Sequence, residues 1–321
     1  MVSWNSESAV ALAAEWRREG ILNADRTLKA YEMLRSILPQ NIAKKRQDAD
    51  TLSEVLDACD ALILDGFGVI NVGTEKIDGI DALLAEAVRR DITVVVLTNG
   101  ASHPSADSAA KYQRWGLDLS PLQIVSSRDA CIAQIQKQAA GLRLVTACSS
   151  TTPLGLASEM RMEEAGDTAW AEADGLVLLG TTSWTESEQA KLEQFLHLPD
   201  KHLFIANPDI SAPHHDGFSL EPGFWALQAM QHTPMTPHWA GKPHAPAFEL
   251  AVARAEALAG RPIPRHRMLM VGDSPHTDIL GGNAAGLSTA LISSYGLLRD
   301  HNAPELLEEL DIQPDFLVRT L

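Results

Sequence analysis

Ala61-Leu62-Ile63-Leu64-Asp65-Gly66-Phe67-Gly68 runs from four apolar residues straight into a carboxylate and two glycines. A short apolar run without alternation suits a strand covered on both faces, as in a parallel sheet. A second run, Ile92 to Leu97, ends in Thr98-Asn99-Gly100. Between the two, Ile80 to Arg90 has helical spacing, and a further helix is expected from Ser105 to Trp115. Strand, helix, strand, helix is the order of a doubly wound α/β sheet. Further on come strands expected at Leu142–Ala147, Gly175–Leu179 and His202–Ala206, with a helix at Glu186–Leu196. The first pattern then resumes: Trp239-Ala240-Gly241-Lys242-Pro243 precedes a helix from Ala245 to Leu258, and Met268 to Val271 is a strand ending in Gly272-Asp273. The expected organisation is therefore a core at 51–130 and 236–321, interrupted by a second α/β unit at 131–235.

Residues 1–50 read as a helical extension. Ser6 can cap a helix carrying Ala9, Leu12, Ala13 and Trp16 and ended by Gly20, and a second helix carries Leu28, Tyr31, Leu34 and Leu38 before Pro39. The polar run Lys44 to Asp48 reads as a linker.

The chain has 321 residues, 45% of them apolar and 21% charged, a globular composition. With 26 basic against 42 acidic residues the net charge is -16, which repels DNA, RNA and anionic lipid. No nucleic-acid or membrane partner is expected. The same charge repels a phosphorylated ligand, so a phosphate site would need local help from a metal, a lysine or helix N-termini. Cys59, Cys131 and Cys148 have neither paired nor zinc-like spacing and read as buried thiols in a reducing compartment. Glu7, Glu15, Arg17 and Arg18 interrupt the N-terminal apolar residues, so a cytoplasmic setting is expected.

In open parallel sheets, ligands bind outside the carboxyl ends of the strands. Asp65, Thr98 with Asn99, and Asp273 fall there, and Lys242 sits in a loop before a helix. Two carboxylates can hold a hard Mg²⁺, a lysine offsets phosphate charge, and a hydroxyl donates to phosphoryl oxygens. Singly, each residue has an ordinary use as a turn former, cap or surface group. As an ordered set they point to phosphoryl transfer.

On these residues the chain resembles the haloacid dehalogenase (HAD) superfamily, class IIA, the branch of p-nitrophenyl phosphatase-like and sugar phosphatases. Leu62 to Val69 is similar to its first motif, Leu97-Thr98-Asn99 to its second, Gly241-Lys242-Pro243 to its third, and Val271 to Ile279 with Gly282 and Gly286 to its fourth. Ala206-Asn207-Pro208-Asp209 is similar to the segment where that class returns from its cap. The resemblance spans residues 60 to 295 and implies a Rossmann-like core with an inserted α/β cap. It implies Asp65 as nucleophile, Thr98 and Lys242 as phosphate clamps, and Gly68, Asn99, Asn207 and Asp209 among the phosphate or substrate contacts. Mg²⁺ would be held by Asp65, the backbone carbonyl of Phe67 and Asp273, with Asp278 buttressing the site. The implied ligand is a small phosphorylated metabolite, and a homodimer is the commonest assembly for such a chain.

One position breaks the pattern. The family's phosphatases carry a second Asp two residues after the nucleophile, as general acid and base, and here that residue is Phe67. Phenylalanine cannot transfer a proton, so about 10²- to 10⁴-fold of rate assistance is missing from that position. The enzyme would then use a good leaving group, borrow another base such as His276 or His103, or survive as a ligand-binding or regulatory protein of weak turnover. Met160, Met162, Trp170 and Trp184 read as packing residues, and His214-His215 beside Asp216 lacks a third metal ligand at suitable spacing.

Overall fold

The computed structural model describes residues 23–42, 44–148, 152–156, 159–162, 170–214 and 217–321. The first expected helix, with Ser6, Trp16 and Gly20, lies outside the described residues, as do His215 and Asp216. Among the described residues, no helix is long and apolar enough to cross a membrane.

The chain forms two compact units. One contains Leu38–Thr98, Pro104–Ser126 and Lys242–Leu321. It is built on a seven-stranded parallel sheet with the spatial order Gln47–Thr51, Phe316–Thr320, Ser288–Ile292, Met268–Gly272, Ala61–Leu64, Thr93–Thr98, Ile124–Ser126. Ala61–Leu64 and Met268–Gly272 are buried at every position, which explains their unbroken apolar sequence. Register then sets what meets at the strand ends. Leu64 pairs with Val271 on one side and Val96 on the other, so Asp65, Asp273 and Thr98 emerge at one edge within two residues of aligned partners.

The linker expected at Lys44 to Asp48 is corrected. The stretch Gln47–Thr51 pairs in parallel with Phe316–Thr320 as the sheet's edge strand. Its polar sequence carries no strand signal because the strand is largely exposed, and its partner lies some 270 residues away. Gly281 is a close approach: a Cβ there would lie 2.2 Å from the ring of Phe248, where the short helix Leu280–Ala284 meets the helix Ala245–Ala259.

The other unit contains the described residues up to Ile37, with Asn99–His103 and Ser127–Gly241. Its five-stranded parallel sheet has the order His238–Trp239, His202–Ile205, Gly175–Leu178, Leu144–Ala147, Glu159–Arg161. Ser211–His214 and Gly217–Leu220 add an antiparallel hairpin. The helix Glu186–Leu196 opens on a capping box of Thr185 and Glu188. Trp184 is buried and donates to Gln189 Oε1 at 3.2 Å, and Trp170 meets Phe195 edge to face, so both indoles pack. The helix Ala24–Met33 is capped by Asn23, whose side chain accepts from the Arg26 N–H. Cys59 and Cys131 are buried, and burial pushes both thiols up to about 12.

Candidate active site

Asp65 continues the buried strand Ala61–Leu64, and its own N–H bonds the Val271 carbonyl at 2.9 Å. Lys242 stands three residues before the helix Ala245–Ala259, with its Nζ 2.7 Å from Asp65 Oδ1 and 2.7 Å from Asp278 Oδ1. The lysine is only 2% exposed and Asp278 is fully buried, so this is an ion pair held away from water. Asp278 lies in a π-helical turn, Pro275–Ile279, a local form common at functional sites. Its second oxygen accepts the N–H groups of Asp273 (3.2 Å) and Ser274 (3.1 Å). The Asp273 carboxylate accepts from Ser274 Oγ at 3.0 Å and from the Leu297 N–H at 2.7 Å.

Glycines make room for that carboxylate. Gly68 has φ +76, and a Cβ built on it would lie 2.4 Å from Asp273 Cγ. Gly296, at φ +67, would place a Cβ 1.7 Å from Asp273 Oδ2. Any side chain at either position would displace Asp273. Thr98 comes to the turn that follows Asp65, its Oγ1 3.5 Å from where a Cβ on Gly66 would sit.

The charges do not balance. Burial, reinforced by Asp278 and Asp273 and opposed by Lys242, raises the Asp65 carboxyl well above the usual carboxylate range. Burial and then the charge of Asp278 push Asp273 up to about 7, against the hydrogen bonds from Leu297 and Ser274. Burial pulls the Lys242 ammonium down, yet Asp278 and Asp65 together hold it above its ordinary value. Oxygens of Asp65, Asp273 and Asp278 all lie within 4.8 Å of one another. A set of hard oxygen donors carrying excess negative charge fits a divalent cation.

Phe67 is half-buried in the turn after Asp65 and forms an isolated parallel bridge with Asn71. His276 is fully buried, and His103 belongs to the other compact unit. Lys111 was not anticipated. Its Nζ donates to Asn71 Oδ1 at 3.3 Å and lies over the rings of Tyr112 and Trp115, while burial lowers its ammonium. Gly296 and the Leu297 N–H were also missed, since nothing in a Tyr-Gly-Leu-Leu sequence marks a carboxylate cradle.

Asn99, Asn207 and Asp209 gather in the unit that holds the five-stranded sheet. Asn99 Nδ2 donates to Asp209 Oδ1 at 2.8 Å, and Asn99 Oδ1 accepts from Ser127 Oγ at 2.7 Å. Asn207 accepts the Asp209 N–H and donates to Glu221 Oε2, both at 3.0 Å. The expected site residues thus form two groups: Asp65, Gly68, Thr98, Lys242, Asp273 and Asp278 in one, and the Asn99 group in the other.

Two stretches of the sequence match hydrolase families: residues 62–163 match the haloacid dehalogenase-like hydrolases and 239–321 the HAD-hydrolase-like family. These stretches contain the Asp65, Lys242 and Asp273 motifs. The chain belongs to the haloacid dehalogenase-like hydrolases. Within this family it is 27% identical over 231 residues to a dihydroxyacetone phosphatase of Corynebacterium glutamicum, covering 71% of this chain and 78% of that one. It is 28% identical over 240 residues to a D-glycerol 3-phosphate phosphatase of Mycobacterium tuberculosis, covering 73% and 62%. The fold of this HAD hydrolase is shared with a solved structure from Cytophaga hutchinsonii described as a possible sugar phosphatase: TM-score 0.76, 23% identity, 86% of this chain and 98% of that one.

Proposed function

We propose that this chain is a Mg²⁺-dependent phosphatase of a small phosphorylated metabolite, a sugar or polyol phosphate in the manner of its named relatives, working through an aspartyl-phosphate on Asp65. The observation that carries this reading is the buried Asp65–Lys242–Asp278 ion-pair chain with Asp273 within reach of the same point. Asp65, the Phe67 carbonyl and Asp273 would hold the ion, with Asp278 supporting them. When bound, it supplies charge neutralisation for the phosphoryl oxygens and keeps the neighbouring carboxylates ionised.

The chain's own residues then do the following. An Asp65 oxygen attacks phosphorus as the bond to the leaving oxygen breaks. The Lys242 ammonium and the Thr98 hydroxyl bind the equatorial oxygens as they gain charge. The departing alkoxide takes its proton from water or another donor, since Phe67 has none to give. Water then attacks the acyl-phosphate, freeing phosphate and restoring Asp65. Asn99, Asn207 and Asp209 stay on the substrate side of this reading, and residues 131–235 act as the cap that selects the substrate and excludes water. The setting is cytoplasmic and the assembly a homodimer.

Phe67 favours a second reading, a phosphate-ligand binder of little turnover. A panel of phosphomonoesters assayed with and without Mg²⁺ separates the two. Metal-dependent phosphate release is expected, and tight binding without release would replace the first reading with the second.

A further inference from the structure

The helix Ala24–Met33 lies outside both matched stretches, 62–163 and 239–321. It buries Thr27, Leu28, Ala30 and Tyr31. Thr27 Oγ1 and Ser211 Oγ are 2.7 Å apart, a contact that docks the helix. Tyr31 goes further. Its hydroxyl donates to Asp209 Oδ1 at 3.2 Å and lies 3.4 Å from the Ile210 N–H, which it accepts.

Asp209 Oδ1 is the same atom that accepts from Asn99 Nδ2. A carboxylate only accepts, so the Asn99 amide must turn its NH₂ toward Asp209 and its oxygen toward Ser127. The orientation of Asn99 is therefore fixed by a bond chain that begins on the extension helix. Gly241 closes on the same group: a Cβ there would lie 2.6 Å from Asn99 Oδ1 and 2.4 Å from Ser127 Oγ. Asn99 directly follows Thr98 in the chain, and Gly241 directly precedes Lys242. The hydrogen-bonded group thus holds Asn99, next to Thr98, and packs closely against Gly241, next to Lys242.

We propose that Tyr31 is a positioning residue, which acts through Asp209 to fix the Asn99 amide and with it the backbone that delivers Thr98 and Lys242 to the phosphoryl group. This rests on the phosphatase reading above. It gives the extension helix a role in the reaction beyond covering apolar surface. Helix docking alone would make any contact on the helix equivalent, whereas positioning singles out the one that leads to Asn99.

The test uses the full chain and p-nitrophenyl phosphate. Tyr31→Phe keeps the ring and removes one donor, so kcat/KM should fall about 10-fold, the worth of a hydrogen bond to a charged group. In an Asn99→Ala background the same change should cost nothing further, because the residue through which it acts is gone. Thr27→Ala, which loosens the helix without touching Asp209, should leave kcat/KM unchanged. Equal losses from the Thr27 and Tyr31 variants, additive losses with Asn99→Ala, or no loss at all would overturn the proposal. Should the wild type release no phosphate from any ester, the phosphatase reading falls. Binding of inorganic phosphate then serves as the readout: about 10-fold weaker binding in Tyr31→Phe supports the positioning role, and unchanged binding ends it.

Discussion

The two polar groups of this molecule are built on opposite principles. Around Lys242, three buried carboxylates face one ammonium, and two of those carboxyls are raised by burial and by each other. Around Asn99 the Asp209 carboxylate is met by an amide and a phenol, and Asn207 is engaged at both ends of its amide, accepting from the Asp209 N–H and donating to the Glu221 carboxylate. The first group is left with two surplus negative charges in buried positions when all its members ionise, and the second carries its charge on half-buried carboxylates met by neutral donors. Burying an unmatched charge is costly, whereas a satisfied polar network is stable as it stands. An unmatched buried cluster is thus the mark of a site that waits for a cation, and a matched one the mark of a frame.

The sharpest way to break this contrast is to remove Asp65, the proposed nucleophile. Asp65→Asn should cut phosphate release by at least about 10⁴-fold, because it removes the attacking oxygen as well as one charge. Mass spectrometry of the wild type trapped during turnover should show phosphorylation of the Asp65 peptide, absent in the variant. Equal labelling in both would take Asp65 out of its role.

The next effect adds charge instead. Phe67→Asp restores a proton carrier beside Asp65, and hydrolysis of an alkyl phosphate should speed up by about 10²-fold or more. Mg²⁺ affinity should change little, because the implied ligand at this position is the main-chain carbonyl. No gain in rate would show that position 67 is not where the leaving group is protonated.

Proton binding sharpens the contrast further. The Asp273 carboxyl is raised to about 7 in the folded chain, so its protonated form favours folding. That contribution is full below the unfolded value and is lost as pH rises through about 7. A divalent cation needs the ionised form, so its apparent affinity should rise as pH rises toward and through about 7. Thermal shifts with and without Mg²⁺ between pH 5.5 and 8.5 measure this, and a pH-independent shift would contradict it.

Asn207, which lies off the Tyr31–Asp209–Asn99 bond chain, should respond in stability and leave metal binding alone. Asn207→Ala removes two hydrogen bonds and leaves Glu221 and the Asp209 N–H to find other partners, a cost of about 1–3 kcal/mol. The Mg²⁺-induced thermal shift should be unchanged. Loss of that shift would mean that Asn207 belongs with the charged group after all.

Much of the charged group was legible because its members end apolar strands or open helices, signals that are local. Asp65, Thr98, Asp273 and Lys242 each carry such a mark. Asp278 and Phe67 became meaningful only through resemblance to a family. The edge strand Gln47–Thr51 was hidden because an exposed strand need not be apolar. Gly296 and Leu297 were hidden because their effect on Asp273 is made through space by a backbone N–H and an absent side chain.

The sequence alone therefore determined the parallel α/β core, the interruption by a second α/β unit and the residues at the strand ends, since each follows from local period and composition. Only the tertiary structure decided which carboxylates share Lys242, how far their charge exceeds it, and that Tyr31 reaches Asp209 across 178 residues. Those depend on strand register and on distances of a few ångströms between segments far apart in the chain, and the strength of a charge or hydrogen bond changes steeply over that range.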